Sequence, residues 1–306
     1  MTSPLRRVDS SVVVANATLF LMTMFWGSFF PLIDVLLRTW DVLSVTAARQ
    51  VIGALAVWAI LVFGERGQGI RGPLPIGRLL VLGICGIALS SLLISLGISY
   101  AGAVSSAIIS TMTPIAAALL ARFLYQIPLG RGIVAGTALA VGGGVFVVLA
   151  TGGDIADFRG GEILVLASNT VWTWYSLAAQ HWLRGWSQLR ITALTMTPGA
   201  IVLVAAVVLA HASGIFEIRI DLSPPSLAII LYGGIFTIGL GNFMWNFGVN
   251  RVGVTVASMY GNLVPISAVL IAMLFGSYPN ALHLAGGAMI LCGVVYAQLR
   301  SRRRQT

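Results

Sequence analysis

Three serines, Ser91, Ser95 and Ser99, recur every fourth residue inside an otherwise apolar run. On a helix that spacing stacks them on one face. A second stripe, Asn242, Asn246 and Asn250, has the same spacing 151 residues later, with Trp245 beside it where the first run has Ile94. The chemistry of hydroxyls and amides in such a setting is hydrogen bonding. Two roles stand open: a cavity wall that offers donors and acceptors to a solute, or bonds between helices, worth about 0.6 kcal/mol each in a membrane bundle.

Aromatic residues join these stripes. Phe25, Trp26, Phe29 and Phe30 occupy one apolar run, and Asn169 is followed by Trp172, Trp174 and Tyr175 in another. Trp26 and Trp172 lie near the middle of their runs, whereas an interfacial belt would hold them at the ends. Two prolines interrupt further runs. Around Pro114 lie Ser110, Thr111 and Met112, and around Pro265 lie Ser258, Tyr260 and Asn262. Each proline frees the carbonyl four residues earlier, at Ser110 and Gly261. Kinked helices at matching positions are the sequence mark of a carrier's binding site, although a static kink for packing has the same appearance. Thr111, Tyr260 and Asn262 are candidate binding residues on this ground.

Charges within the apolar runs are scarce. Asp34 and Arg49 are expected to form an ion pair, with a gate or a carboxylate-binding arginine as the sharper alternative. The three histidines, His181, His211 and His283, fall near run ends, where a solvated role is expected. With no acid in the middle of a run, tight proton or sodium coupling is not evident.

These residues need elements to hold them. The chain of 306 residues is 58% hydrophobic and 9% charged, with a mean hydropathy of +0.96. Soluble domains carry about 25% charged residues, so this chain lacks the polar surface to coat a globule. Apolar runs of the length needed to cross a bilayer occupy about 12–37, 42–63, 79–100, 103–124, 131–150, 161–183, 190–212, 225–249, 253–275 and 280–299. The first run continues well past Ala15-Asn16-Ala17, a mimic of a cleavage site, and is expected to be an uncleaved helix. The expected fold is an all-α membrane protein of ten transmembrane helices around a central cavity.

All 18 basic residues are arginine. A chain without lysine has no Schiff-base lysine and no nucleotide-hydrolysing Walker A loop. Its net charge of +9 would suggest nucleic acid in a soluble protein. Here the arginines sit at run ends, 14 of them in segments on the side of the termini, so the positive-inside rule puts both termini in the cytoplasm. Cys85 and Cys292 lie in apolar runs and are expected as buried packing residues. No metal site or cofactor is expected, and a membrane-embedded enzyme would need a His, Asp or Glu cluster that the sequence does not show. The expected partners are a small-molecule substrate and the lipid bilayer, and a monomer is compatible with this plan.

Shifting the sequence by 151 superposes Gly83 on Gly234, Gly97 on Gly248, Gly102 on Gly253, Pro114 on Pro265 and Gly142 on Gly293. Earlier in each half an offset of 146 brings Trp26 onto Trp172 and Thr46-Ala47 onto Thr192-Ala193. The chain therefore reads as two related halves, 1–155 and 156–306. Five crossings per half is an odd number, so the second half enters the membrane in the opposite sense. Inverted repeats of this kind are the architecture of secondary transporters, with the site near the midplane.

Ten spans in two inverted halves, the Phe25-Trp26-Gly27-Ser28 run and the proline-containing spans four and nine resemble the drug/metabolite transporter superfamily, EamA type. The resemblance implies alternating access around a central cavity. The wealth of intramembrane Trp and Tyr looks most like the aromatic amino-acid exporter branch, in a bacterial inner membrane. A drug or other metabolite facilitator of the same fold is the alternative. The absence of lysine departs from phosphate-ester carriers.

Overall fold

The computed structural model describes residues 10–64, 74–125, 131–150, 160–214, 217–261, 263–276 and 278–302. Among them every regular element is helical. The chain opens with α1 (Ser10–Leu36) and α2 (Val42–Gly64). The third passage is composite, running through α3 (Ile76–Val81), a π-helical stretch (Leu82–Ala88) and α4 (Leu89–Ser110). After a turn at Thr111 and Met112 come α5 (Thr113–Tyr125), α6 (Arg131–Ala150), α7 (Gly161–Trp182) and α8 (Gln188–Ala212). A second composite passage has α9 (Pro224–Tyr232), a π-helical stretch (Gly233–Leu240) and α10 (Gly241–Gly261), followed by α11 (Val264–Leu274) and α12 (Ala281–Arg302).

Among the described residues, Val13–Leu36, Val42–Phe63, Ile76–Ser110, Gln188–Ala212 and Pro224–Gly253 have the length and hydropathy of a membrane crossing by themselves. α5 and α11, of 13 and 11 residues, are shorter helices. α7 has 22 residues, about 33 Å at 1.5 Å per residue, but carries Ser168, Asn169 and Thr170 in its middle. Large apolar side chains such as Leu55, Phe63, Leu209, Leu270 and Leu274 project from the outer surface, as hydrocarbon contact requires. This is an all-α membrane protein. Cys85 and Cys292 are also exposed on that surface, which corrects their expected burial. A thiol is apolar enough to face lipid as readily as a core.

Sharp features recur at the 151-residue spacing. The two π-helical stretches are one such pair. Another is Gly102 (φ 76°, ψ 168°) with Gly253 (φ 80°, ψ 158°), each breaking its helix in a conformation that a side chain would strain. Pro114 and Pro265 are the second residues of α5 and α11, the first just after the turn at 111–112 and the second just after the turn residue Leu263. The expected kinks inside continuous helices are therefore breaks, with each proline opening a new helix. Proline fits a first turn because the amide it lacks has no partner there. The Ser110 carbonyl accepts a hydrogen bond from Thr113 Oγ1 at 2.6 Å.

Packing crosses the chain. α1 packs on α10 and α11, α4 on α7, and α6 on α12, while α2 packs on the second π-helical stretch and α8 on the first. Glycines permit the closest of these crossings. A methyl group on Gly53 would sit 2.8 Å from the Gly234 carbonyl oxygen, and one on Gly199 would sit 2.9 Å from the Gly83 carbonyl oxygen. Small residues at such contacts let membrane helices approach backbone to backbone.

The ends are tied by loops. Asp41 caps α2 by accepting from the Ser44 amide (2.8 Å), and its other oxygen accepts from the Arg219 amide (3.1 Å). Trp40 Nε1 donates to the Asp221 carbonyl at 3.1 Å. The turn after α1 and the segment before α9 thus share one end of the bundle. At the other end Arg78 donates to the Trp182 carbonyl (3.2 Å).

Candidate functional site

A cavity of about 150 Å³ lies where α1, α4, α7, α10 and the second π-helical stretch converge, with the tips of α5 and α11 closing it. Three indoles form its wall. The Trp26 ring is 5.7 Å from Trp172 in an edge-on contact and 5.4 Å from Trp245, centroid to centroid. The edge-on contact and separations of this order are favoured by the ring quadrupoles. Two indoles are pinned from behind. Trp26 Nε1 donates to the Thr237 carbonyl (3.1 Å), and Trp245 Nε1 donates to Ser176 Oγ (2.9 Å). The third is not: Trp172 Nε1 is buried without a hydrogen-bond partner among the described residues, as is Asn169 Nδ2 one turn before it. Buried donors without partners are rare in folded proteins, and here both belong to residues of the cavity wall.

The remaining polar groups come from Ser90 and Ser91 on α4, Ser110 at its end, Thr113, Ser168, Thr237 and Asn242. Ser91 Oγ reaches Gln50 Oε1 at 3.4 Å, a long contact, and Gln50 Nε2 is a further buried donor without a partner. Ser168 Oγ donates to the Ser90 carbonyl at 2.8 Å, locking α7 to α4 beside the cavity.

Of the residues singled out in the sequence, Trp26, Ser91, Asn169, Trp172, Asn242 and Trp245 meet at this cavity. Four others lie elsewhere. Ser95 is fully buried and donates to the Ser91 carbonyl within its own helix (2.9 Å), and Thr111 likewise donates to the Ile108 carbonyl (2.7 Å). Tyr260 packs against the Leu19, Met22 and Trp245 cluster. Asn246 is fully buried one turn beyond Asn242. Its Nδ2 donates to Thr192 Oγ1 (3.0 Å) and makes a longer contact with the Tyr175 hydroxyl (3.4 Å). Thr192 and Thr195 already donate to their own i−4 carbonyls, so Asn246 heads a relay running through Tyr175 to Thr195 (3.0 Å). This network joins α10, α7 and α8. Asn262 lies outside the described residues.

The expected Asp34–Arg49 pair is not formed. Asp34 meets Arg38, one turn on in the chain, at 3.8 Å. Both are near the end of α1, where the nearer cation on the same side of the helix prevails. Arg49 instead turns into the bundle and is only 2% exposed. Its Nη2 donates to Thr237 Oγ1 at 3.1 Å, and its guanidinium carbon lies 4.4 Å from the centre of the Phe29 ring. Holding arginine at the centre of a spanning helix costs about 2.5–3.5 kcal/mol on the insertion scale. His283, expected near solvent, is buried and in contact with Ser105 Oγ at 3.2 Å.

Thr237 is the wall residue that sequence periodicity could not find. It stands five residues before Asn242, a spacing that an α-helix places on different faces. The π-helical stretch has i→i+5 bonding, which brings positions five apart toward the same side. Ser90 and Ser168 had a signal available, as hydroxyls directly preceding Ser91 and Asn169.

The profile of the EamA-like transporter family matches residues 14–149 and again residues 159–298. A relative from Bacillus subtilis (strain 168), the uncharacterized transporter YyaM, is 26% identical over 285 residues, covering 90% of each chain. A probable terminal-alkyne amino-acid exporter from Streptantibioticus cattleyicolor is 26% identical over 297 residues, covering 94% of this chain and 95% of its own. A solved crystal structure superposes with a TM-score of 0.68 at 20% identity, covering 96% of this chain and 99% of that one.

Proposed function

The chain belongs to the EamA-like transporter family, and from that membership we propose that it exports amino acids, aromatic or similarly amphiphilic, across a bacterial inner membrane by alternating access. The observation that carries this reading is the tryptophan-walled cavity, built by elements from both ends of the chain and flanked by partnerless donors. Indole faces suit an apolar side chain and attract an ammonium group through their quadrupoles. The Asn169 and Trp172 donors suit a hydrogen-bond acceptor on the solute. The amino-acid exporter among the relatives supports the same class.

Alternating access follows from the proposed architecture, two inverted five-helix halves, 1–155 and 156–306. The recurrence of the π-helical stretches and of the Gly102 and Gly253 breaks supports it. So does the exchange of packing partners, since α2 on the second π-helical stretch mirrors α8 on the first. A two-fold that maps an odd number of crossings onto the next set must lie in the membrane plane, and a related pair of halves can then open to either side in turn. Both termini are proposed to be cytoplasmic. Single cysteines at Gln68 and Gly153, with Cys85 and Cys292 replaced by alanine, are expected to react with an impermeant maleimide from opposite sides of the membrane. Labelling from one side would dismiss the inverted arrangement.

Counterflow in liposomes tests the function. Vesicles loaded with unlabelled phenylalanine, tryptophan or tyrosine are expected to accumulate the labelled compound transiently, with and without a pH gradient, and protein-free vesicles are not. Failure with every amino acid, alongside movement of cationic dyes, would favour a drug facilitator of the same fold.

A further inference from the structure

Arg49 stands beside the cavity without a counter-ion. Among the described residues no carboxylate forms an ion pair with it: Asp34 is taken by Arg38, and Asp41 caps α2. Guanidinium remains charged in a protein and has five donors to satisfy. The described residues supply one hydroxyl, Thr237 Oγ1, and one aromatic face, Phe29. The fold nevertheless makes room for this side chain. A methyl group on Gly233 would sit 2.9 Å from Arg49 Nε, so the helix approaches the guanidinium at a residue with no side chain. Arg49 lines a small void of its own. This void and the tryptophan cavity share Phe29 and Thr237 as common wall residues.

We propose that Arg49, with Thr237, is the receptor for the carboxylate of the transported solute. Phe29 is then the movable wall through which the carboxylate reaches the guanidinium. This rests on the transporter function above and narrows it. The solute must carry a carboxylate, and organic cations that lack one are excluded. A carboxylate matches the planar fork of arginine in charge and in geometry. It would also neutralise the buried cation, so that binding and release change the electrostatics of the bundle centre.

The test uses the purified full-length protein in detergent, with quenching of tryptophan fluorescence as readout. The probes are L-phenylalanine and phenylacetate, which carry a free carboxylate, and L-phenylalanine methyl ester and phenethylamine, which do not. Wild type is expected to bind the two carboxylates at least about tenfold tighter than the ester and the amine, the scale of a hydrogen bond to a charged group. In Arg49→Gln that preference should collapse, and Arg49→Lys should retain part of it. Thermal unfolding of the same samples shows whether each variant is folded. If Arg49→Gln does not fold, Thr237→Val serves in its place, with a weakened preference expected.

Equal binding of acids and amine by wild type would overturn the proposal, as would a preference that survives Arg49→Gln or failure of both carboxylates to bind. Arg49-dependent stabilisation by sodium chloride that exceeds the effect of either carboxylate would assign the site to inorganic anions and equally overturn it. Binding of phenylacetate without phenylalanine would uphold the role of Arg49 and reject the amino-acid reading. Arg49-independent binding of phenylalanine would do the reverse.

Discussion

Gly53→Leu is expected to lower the melting temperature of the protein sharply and to reduce its folded yield. The new Cβ would lie 2.8 Å from the Gly234 carbonyl oxygen and 3.0 Å from the Gly239 amide nitrogen. Overpacking a core costs typically 1–3 kcal/mol when side chains can shift. Here the obstacle is the backbone of the second π-helical stretch, so the upper end of that range or more is expected, against a total stability of about 5–15 kcal/mol. Gly199→Leu, which drives a side chain toward the Gly83 carbonyl, should behave alike. A methyl group on Gly77 would have nothing within 4 Å of it, and Gly77→Leu is the control. Size-exclusion profiles and melting temperatures of the three variants decide the matter. If Gly53→Leu accumulates and melts like the control, close backbone approach does not hold this crossing together.

The second large effect separates two amides one turn apart. Asn242→Leu removes a polar group from the cavity wall and is expected to weaken solute binding roughly tenfold, since about 1.36 kcal/mol is a factor of ten and a hydrogen bond to a charged group is worth about 1.5–3 kcal/mol. Asn246→Leu severs the ties to Thr192 and Tyr175. Interhelical bonds of this kind reach at most about 1.7 kcal/mol, so melting should fall by several degrees while the affinity of the surviving protein stays near wild type. Affinity and melting temperature are to be measured on one preparation of each variant. An affinity loss in Asn246→Leu equal to that in Asn242→Leu would place the whole stripe in the solute path.

The sequence made the helices legible because membrane crossings are long and apolar. The expected runs match the helical passages to within a few residues where the breaks at Gly102 and Gly253 divide the longest ones. Trp26, Trp172 and Asn242 were legible for a related reason: large aromatics and amides in the middle of a crossing need an interior to face. Other features leave no such trace. A π-helical stretch such as Gly233–Leu240 has the composition of any apolar helix, so Thr237 stayed hidden. The Asn242–Asn246 stripe specifies a face but not what that face meets. Thr192 on α8 meets Asn246, whereas beside Asn242 there is open space. Arg49 and Asp34 lie deeper in apolar runs than the other charges, and pairing them overlooked Arg38, one turn from Asp34. Contacts between distant elements decide such details, and local pattern does not encode them.

Because α2 is covered by the second π-helical stretch, its final neighbour is synthesised roughly 170 residues after it. At about 5–20 residues per second, α2 waits in the bilayer for roughly ten to thirty seconds with its glycine-lined face open. α1 waits longer still for α10 and α11. During that interval lipid chains or the insertion machinery must occupy the surfaces later taken by the rest of the chain. The helix–helix contacts that define the cavity are therefore late events in biogenesis. A slow ribosome or a crowded translocon would lengthen the period in which a half-made bundle is open to degradation.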